Sequence, residues 1–416
     1  MTDHRPDGGT PSHGRAAPLL PRRNLRLFVM GTVCLAIVGG TVDPTFNNYL
    51  NDVFRMTALE RGKLEFPREM PGFLTALFAG ILFFLPETRI AAASSLAIGA
   101  AMFGLAFCGS GWTMMLALVI LWNTGLHLLM PVRSSIAMEL AHETHKGRML
   151  GLLASVGIAA SIIGSITAWT VMKLSPANYR LTFIIGGCIA VCAAAAQFLM
   201  RMPAAHLQRP KFVWHKSYWV YYVLAVMSGA RKQVFITFGP LVLIKVFDQP
   251  PQTFAELAIA GSVLGMVVQP VLGRSIDRFG ERAVLMVASV CVALVCVGYG
   301  FAHLLGSRSM ALGLLYVCYV GDQLLFGANM ARDTYLSKIA VKPAHVSPTL
   351  SLGITIDHVV SMTVPALGGW MWVKYGYSHV FVAAAGVALL TVVVSALVRT
   401  PLTVPKHHPL IQTDLP

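Results

Sequence analysis

Along the chain, runs of about twenty apolar residues alternate with short polar turns, and the pattern continues from Leu25 almost to the C-terminus. A bilayer core about 30 Å thick is crossed by about 20 helical residues, so each run predicts one membrane-crossing helix. Twelve runs are present: near 25–50, 69–86, 90–108, 112–138, 147–172 and 180–200, then near 217–247, 251–272, 283–305, 310–337, 347–373 and 378–399. The longest interior connections, 51–68 and 201–216, carry most of the remaining polar residues, which leaves no room for a separate soluble domain. The expected architecture is an all-α membrane protein. Two six-helix bundles, 25–200 and 217–400, are joined by a linker at 201–216 and flanked by a disordered tail at 1–24 and a second tail at 401–416.

Composition agrees with that reading. Of the 416 residues 56% are hydrophobic and only 12% charged, against about 25% charged in soluble domains. The stretch Met1–Arg23 has no apolar core and does not read as a cleavable signal peptide. All seven cysteines fall inside apolar runs, without the paired spacing of a disulfide frame or zinc site, and are expected to pack as small residues. A net charge of +14 first suggests nucleic acid or anionic lipid, but position decides otherwise. Nineteen Lys and Arg residues fall on the side of the termini and nine on the opposite side, while Arg133, Arg231, Lys232 and Arg332 lie within apolar runs. Positive charge accumulates on the cytoplasmic face of membrane proteins. The expectation is therefore a multi-pass protein of the inner (plasma) membrane with both termini cytoplasmic, and no nucleic-acid partner.

The two halves also resemble each other at an offset of about 189 to 199 residues. Leu35-Ala36-Ile37-Val38-Gly39-Gly40 faces Leu224-Ala225-Val226-Met227-Ser228-Gly229, which sets Asp43 opposite Lys232. Further along, Arg133-Ser134-Ser135 faces Arg332-Asp333-Thr334. Repeats of parallel topology make the cleft between them the natural functional site.

The loop after the eighth segment reads Gly273-Arg274-Ser275-Ile276-Asp277-Arg278-Phe279-Gly280-Glu281-Arg282. It resembles the G-x-x-x-D-R-x-G signature of the major facilitator superfamily, and with the twelve segments and the repeat the resemblance covers nearly the whole chain. It implies a secondary transporter in which Gly273, Asp277, Arg278 and Gly280 latch the cytoplasmic side in the outward-facing state. Arg332 is the expected partner of Asp277, and Arg133 with Glu139 is expected to belong to gating salt bridges. The equivalent first-half loop, Leu85-Pro86-Glu87-Thr88-Arg89, lacks the glycines and the aspartate. The fourth segment has Leu121 before Gly125 where proton-antiporting drug exporters carry an arginine, and the fifth lacks their glycine–proline pair.

An ionisable side chain in the membrane needs a partner, a wet cavity or a role. Asp43, before Pro44 and close to Asn47, reads either as a proton acceptor or as the fixed partner of Arg231 or Lys232. Those two bases are adjacent in sequence and so about 100° apart on a helix; Arg231 is the first candidate to clamp an anionic group, since its fork donates two parallel hydrogen bonds. Asp322 with Gln323, and Asp357 with His358, offer further proton sites or interhelical bonds. His127 reads as a packing histidine or a ligand, and Lys232, Asn47 and Gln323 are further candidates to bind the solute. Glu65, Arg68 and Glu69, in the connection before the second segment, read as headgroup-level charges or as a cap on the outer mouth.

No phosphate-binding loop, His-Glu-x-x-His pair or nucleophile elbow occurs, so neither enzymatic chemistry nor a metal or cofactor is expected. The chain is expected to act as a monomer with a small-molecule substrate, protons and the lipid bilayer as its partners. A proton symporter of a small anionic organic solute fits best. A proton-antiport exporter of amphipathic compounds, or a transporter-like receptor or lipid-handling protein, remains open.

Overall fold

The computed structural model describes residues 19–74, 85–109, 111–140, 146–202 and 213–399. The expected C-terminal tail and most of the N-terminal one lie outside these residues, as do 203–212 of the linker and 75–84 of the second segment. The helices are α1 (Leu19–Phe54), α2 (Ala58–Phe73), α3 (Glu87–Cys108), α4 (Trp112–Leu140), α5 (Lys146–Leu174), α6 (Tyr179–Phe198), α7 (Trp219–Lys245), α8 (Pro251–Phe301), α9 (Arg308–Leu325), α10 (Asn329–Ile339), α11 (Val346–Tyr375) and α12 (Tyr377–Ala396). No strand is present among the described residues.

Nine helices among the described residues are long and apolar enough to cross a membrane. One span, Pro251–Leu304, holds two of the expected segments, because α8 turns at Gly280 with φ 81°. Only a residue without Cβ enters that region freely. Another span, Arg308–Ile339, joins α9 and α10 through a short 3-10 turn at Phe326–Ala328. The expected segments outside this set are the second, of which α2 holds the start, and the seventh, α7. The architecture is thus consistent with twelve crossings, and the chain is a multi-pass membrane protein.

The largest departure from the sequence reading is α2. The polar stretch 51–68 is mostly helix, opened by Thr57: its Oγ1 accepts from Glu60 N at 3.2 Å and its own N donates to Glu60 Oε2 at 2.8 Å. Arg61, Glu65, Arg68, Glu69 and Gly72 recur at three- and four-residue spacing and share one helical face. That face turns into the protein, where Glu65 is 0% and Arg61 2% exposed. Glu65, Arg68 and Glu69 are therefore not headgroup charges. Arg61 and Arg68 also leave the tally of far-side positive charge, reducing it from nine to seven and widening the asymmetry.

Each half has its own apolar core. Val42, Phe46, Tyr49, Met102, Trp122 and Phe183 pack together in the first; Phe235, Phe238, Phe254, Tyr299 and Phe381 do so in the second. The halves meet where α2 crosses α11 and α5 crosses α8, with α1 also against α8. Hydrogen bonds join them at the end remote from the termini: Asn48 Nδ2 donates to Gln249 O at 3.0 Å, Gln252 Nε2 to Met172 O at 2.6 Å, and Trp169 Nε1 to Glu256 Oε1 at 2.8 Å.

At the crossing of α2 and α11 the backbones touch. A Cβ on Gly62 would strike the Pro365 carbonyl, and one on Gly369 would sit 2.5 Å from Ala58 O. Gly62→Ala should therefore lower stability by about 1–3 kcal/mol, the usual cost of overpacking. Gly313→Ala, on α9 with nothing near its would-be Cβ, should be neutral or stabilising by up to ~1 kcal/mol. Thermal unfolding of both variants in detergent checks the contrast, and equal melting temperatures would refute the backbone contact.

Candidate functional site

The two halves enclose a cavity of about 630 Å³, within the range of small-molecule sites. The contacts just described close its far end. Its walls run from Asp43 and Asn47 back to Leu35 on α1, and from Trp122 and Asn123 on to Arg133 near the end of α4. On the first-half wall it reaches back toward the side on which the termini lie, and on α7 it is lined by Phe235, Ile236 and Pro240. Phe46, Phe235 and Tyr319 supply aromatic surface, and Asn123 and Gln323 add amides.

The carboxyl of Asp43 borders this space and makes no hydrogen bond or ion pair among the described residues. Arg68 is the cation that acts on it through charge. The expected bond from Asp43 to Arg231 or Lys232 does not form. Arg231 Nη2 donates to Asp322 Oδ1 at 2.6 Å and to the Asp322 carbonyl at 3.0 Å, and Lys232 Nζ binds Asp357. Adjacent helical positions do face different neighbours, as expected, but both neighbours, α9 and α11, belong to the second half and each offers an aspartate. The basic centre anticipated for an anionic solute is consequently neutralised. Asp322 and Asp357 hold cations rather than standing free as proton acceptors.

A second network runs down α2. Arg61 pairs with Glu65, and its Nε donates to Asn47 Oδ1 at 3.1 Å, tying that candidate ligand to the scaffold. Arg68 bonds Glu65 Oε2 at 2.9 Å and Glu69 Oε1 at 3.3 Å. From the other half, Gln233 donates to Glu65, and His358 Nδ1 donates to Glu69 Oε2 at 2.9 Å. His358 thus bridges the halves instead of relaying for its neighbour Asp357. His127 lines the cavity with its ring edge-on to His358, centroids 4.8 Å apart. Apart from the helical spacing along α2, no signal in the sequence would have assembled this cluster.

The anticipated latch is not engaged. Asp277 is exposed and unpaired among the described residues, while Arg332 bonds its neighbour Asp333 at 3.2 Å and lies over the ring of Tyr221. Disengagement suits a cavity that reaches back toward that side. The ion pair made at this turn is instead between Glu281, fully buried, and Lys338, at 2.5 Å. Gly280 makes the turn, Gly273 has open space around it, and Arg278 covers Phe279. Neither Arg133 nor Glu139 forms an ion pair among the described residues; Arg133 borders the cavity as a cation without an acid.

Comparison with known proteins agrees with the geometry. A sequence model of the Major Facilitator Superfamily matches residues 70–332. The fold is similar to the nucleoside transporter NupG at 13% identity, covering 90% of this chain and 98% of that one with a TM-score of 0.71. A bacterial homologue of the human lysosomal transporter Spinster, inward-facing and occupied, has 14% identity, 92% and 97% coverage and a TM-score of 0.68. The D-xylose–proton symporter has 12% identity, 92% and 98% coverage and a TM-score of 0.70. No curated protein matches the sequence.

Removing one partner of a buried pair strands the other charge and costs about 3–5 kcal/mol, whereas replacing both can be near neutral. Arg231→Ala should therefore destabilise far more than Arg231→Ala combined with Asp322→Ala. Unfolding of the two variants and the single Asp322→Ala form a double-mutant cycle; additive losses would mean that the pair carries no coupling.

Proposed function

Because the chain belongs to the major facilitator superfamily, we propose that it is a secondary active transporter that moves a small polar solute across the inner membrane by alternating access, coupled to protons. The observation that carries this reading is the contrast among the acids bordering the cavity. Asp322 is held by Arg231, whereas Asp43 faces the cavity without a partner. A carboxyl that already stabilises a fixed cation gives up that energy when it takes a proton. The unpaired Asp43 has no such loss, so it is the acid that loads and unloads. The termini and the cavity mouth then face the cytoplasm, where the excess of Lys and Arg lies.

The solute is read from the walls. With Arg231 and Lys232 neutralised, the aromatic faces of Phe46, Trp122, Phe235 and Tyr319 and the amides of Asn123 and Gln323 offer a lining suited to an uncharged ring-bearing molecule of the nucleoside or sugar class. The likeness to a nucleoside transporter and a sugar–proton symporter supports the same choice at the level of fold. A second reading, a solute with an anionic group, is favoured by one observation: Arg133 borders the cavity without an acid.

Proteoliposomes under an imposed pH gradient, offered nucleosides, pentoses and small carboxylates in turn, test both. Gradient-driven uptake of the uncharged compounds is expected, and uptake of carboxylates alone that is lost in Arg133→Gln would select the second reading. Asp43→Asn should abolish uptake against a concentration gradient while retaining solute exchange at equal concentrations. Full gradient-driven uptake by Asp43→Asn would move the proton to another group.

A further inference from the structure

Glu69, His127 and His358 come from α2, α4 and α11, and one ligand atom of each lies within 4.8 Å of the other two. Two imidazoles and a carboxylate are the donor set of a borderline transition ion. A tetrahedral ion with metal–ligand bonds of about 2.0–2.1 Å holds its donors roughly 3.4 Å apart, so small side-chain rotations bring these three into range. Space for the rings is built in. A Cβ on Gly72 would lie 2.5 Å from His358 Cε1 and 2.8 Å from His127 Cε1, so both imidazoles occupy room that only glycine leaves.

The remaining conditions for an ion are also met. His127 borders the large cavity, which gives an aqueous route to a site whose other two ligands are buried. The cations nearby are already neutralised: Arg68 by Glu65 and Glu69, Arg61 by Glu65, and Lys232 by Asp357. Together with Asp43 the acids of this neighbourhood outnumber the bases by one, which favours a dication. His358 Nδ1 now donates to Glu69 Oε2. An ion would take the place of that proton between the two groups, with the proton moving to Nε2 of the same ring.

We propose that Glu69, His127 and His358 form a binding site for a divalent transition-metal ion of the zinc class, clamping α2 and α4 of the first half to α11 of the second. The ligands fill three positions and leave the fourth for water from the cavity. An ion there ties the halves together, so it acts as a lock on their relative movement.

The test is a titration of the purified full-length chain with Co²⁺, prepared without a polyhistidine tag and with its seven cysteines alkylated. Expected are saturable binding, a visible absorption band of nitrogen and oxygen ligation, and displacement by Zn²⁺. His127→Ala and His358→Ala should each weaken binding at least about tenfold, as should Gly72→Ala, which pushes both rings aside. Binding that is absent, or unchanged in both histidine variants as it would be for the His407-His408 pair of the tail, overturns the proposal. Should the histidine variants fail to fold, Cu²⁺ bound to a chain carrying His407→Ala and His408→Ala decides by electron paramagnetic resonance. Splitting from imidazole nitrogens at one equivalent of Cu²⁺ supports the site, and its absence overturns it. None of these readouts requires a transported solute, so their failure leaves the transport reading intact.

Discussion

A charge inside a membrane protein must be matched by another charge, and the arrangement of this molecule follows from that demand. Taking an unpaired ion out of water costs several kcal/mol, more than one helix crossing can absorb within a marginal stability of about 5–15 kcal/mol. Arg61, Glu65, Arg68, Glu69, Arg231, Lys232, Asp322 and Asp357 meet the demand by pairing, each within its own half. The pairs of Arg231 and Lys232 fix how α7 is held between α9 and α11, while those of Arg61 and Arg68 run along α2 itself. Pairing within a half has a mechanical consequence: each bundle can move as a body without separating opposite charges.

Between the halves the bonds are of another kind. Gln233 to Glu65, Asn48 to the Gln249 carbonyl and Gln252 to the Met172 carbonyl each use a neutral amide. The two to carbonyls contribute about 0.5–1.5 kcal/mol net, and those to a carboxylate, Gln233 to Glu65 and Trp169 to Glu256, about 1.5–3 kcal/mol; all can be exchanged for bonds to water. His358 and Glu69 add an imidazole–carboxylate contact. A movable seam held by a few replaceable hydrogen bonds, with no Lys or Arg ion pair across it among the described residues, is what alternating access requires. The close backbone contact at Gly62 supplies shape complementarity at the seam without adding a charge that must be stripped on opening.

Hydropathy alone made the architecture legible, because each crossing needs its own apolar run and charges inside those runs are few. The second run starts at 69 by hydropathy, whereas its helix starts at Ala58, for the converse reason. Arg61, Lys63, Glu65, Arg68 and Glu69 depress the hydropathy of a helix that is nonetheless inside the bundle. Its period, with Arg61, Glu65 and Arg68 on one face, was present in the sequence and argues for a helix with a polar partner. The site was legible as a set of residues but not as a set of pairs. Asp43, Arg231 and Lys232 stood out because charges in apolar runs are few. Their partners depend on helix rotation and on which aspartate lies nearest, and Asp322 and Asp357, equally visible in the sequence, won by belonging to the same half.

The unequal treatment of the acids also explains how a proton can drive the cycle proposed here. When the cavity is hydrated, an ionised Asp43 is tolerated because water supplies its partners. Closing the halves around it removes that water, and an ionised carboxylate that must share Arg68 with Glu65 and Glu69 then costs several kcal/mol, whereas a protonated one costs only the burial of a neutral polar group. The occluded state therefore favours the protonated acid, and a solute that fills the cavity with its own hydrogen-bonding groups lowers the cost of closure further. Proton and solute act on the same step because both replace the same water. A second cation beside Asp43 in place of Gly39, whose would-be Cβ lies 3.4 Å from the carboxylate, would satisfy the charge permanently and remove the reason for the proton to bind. The absence of a side chain at that position keeps the acid dependent on solvent, and on that dependence the proposed coupling rests.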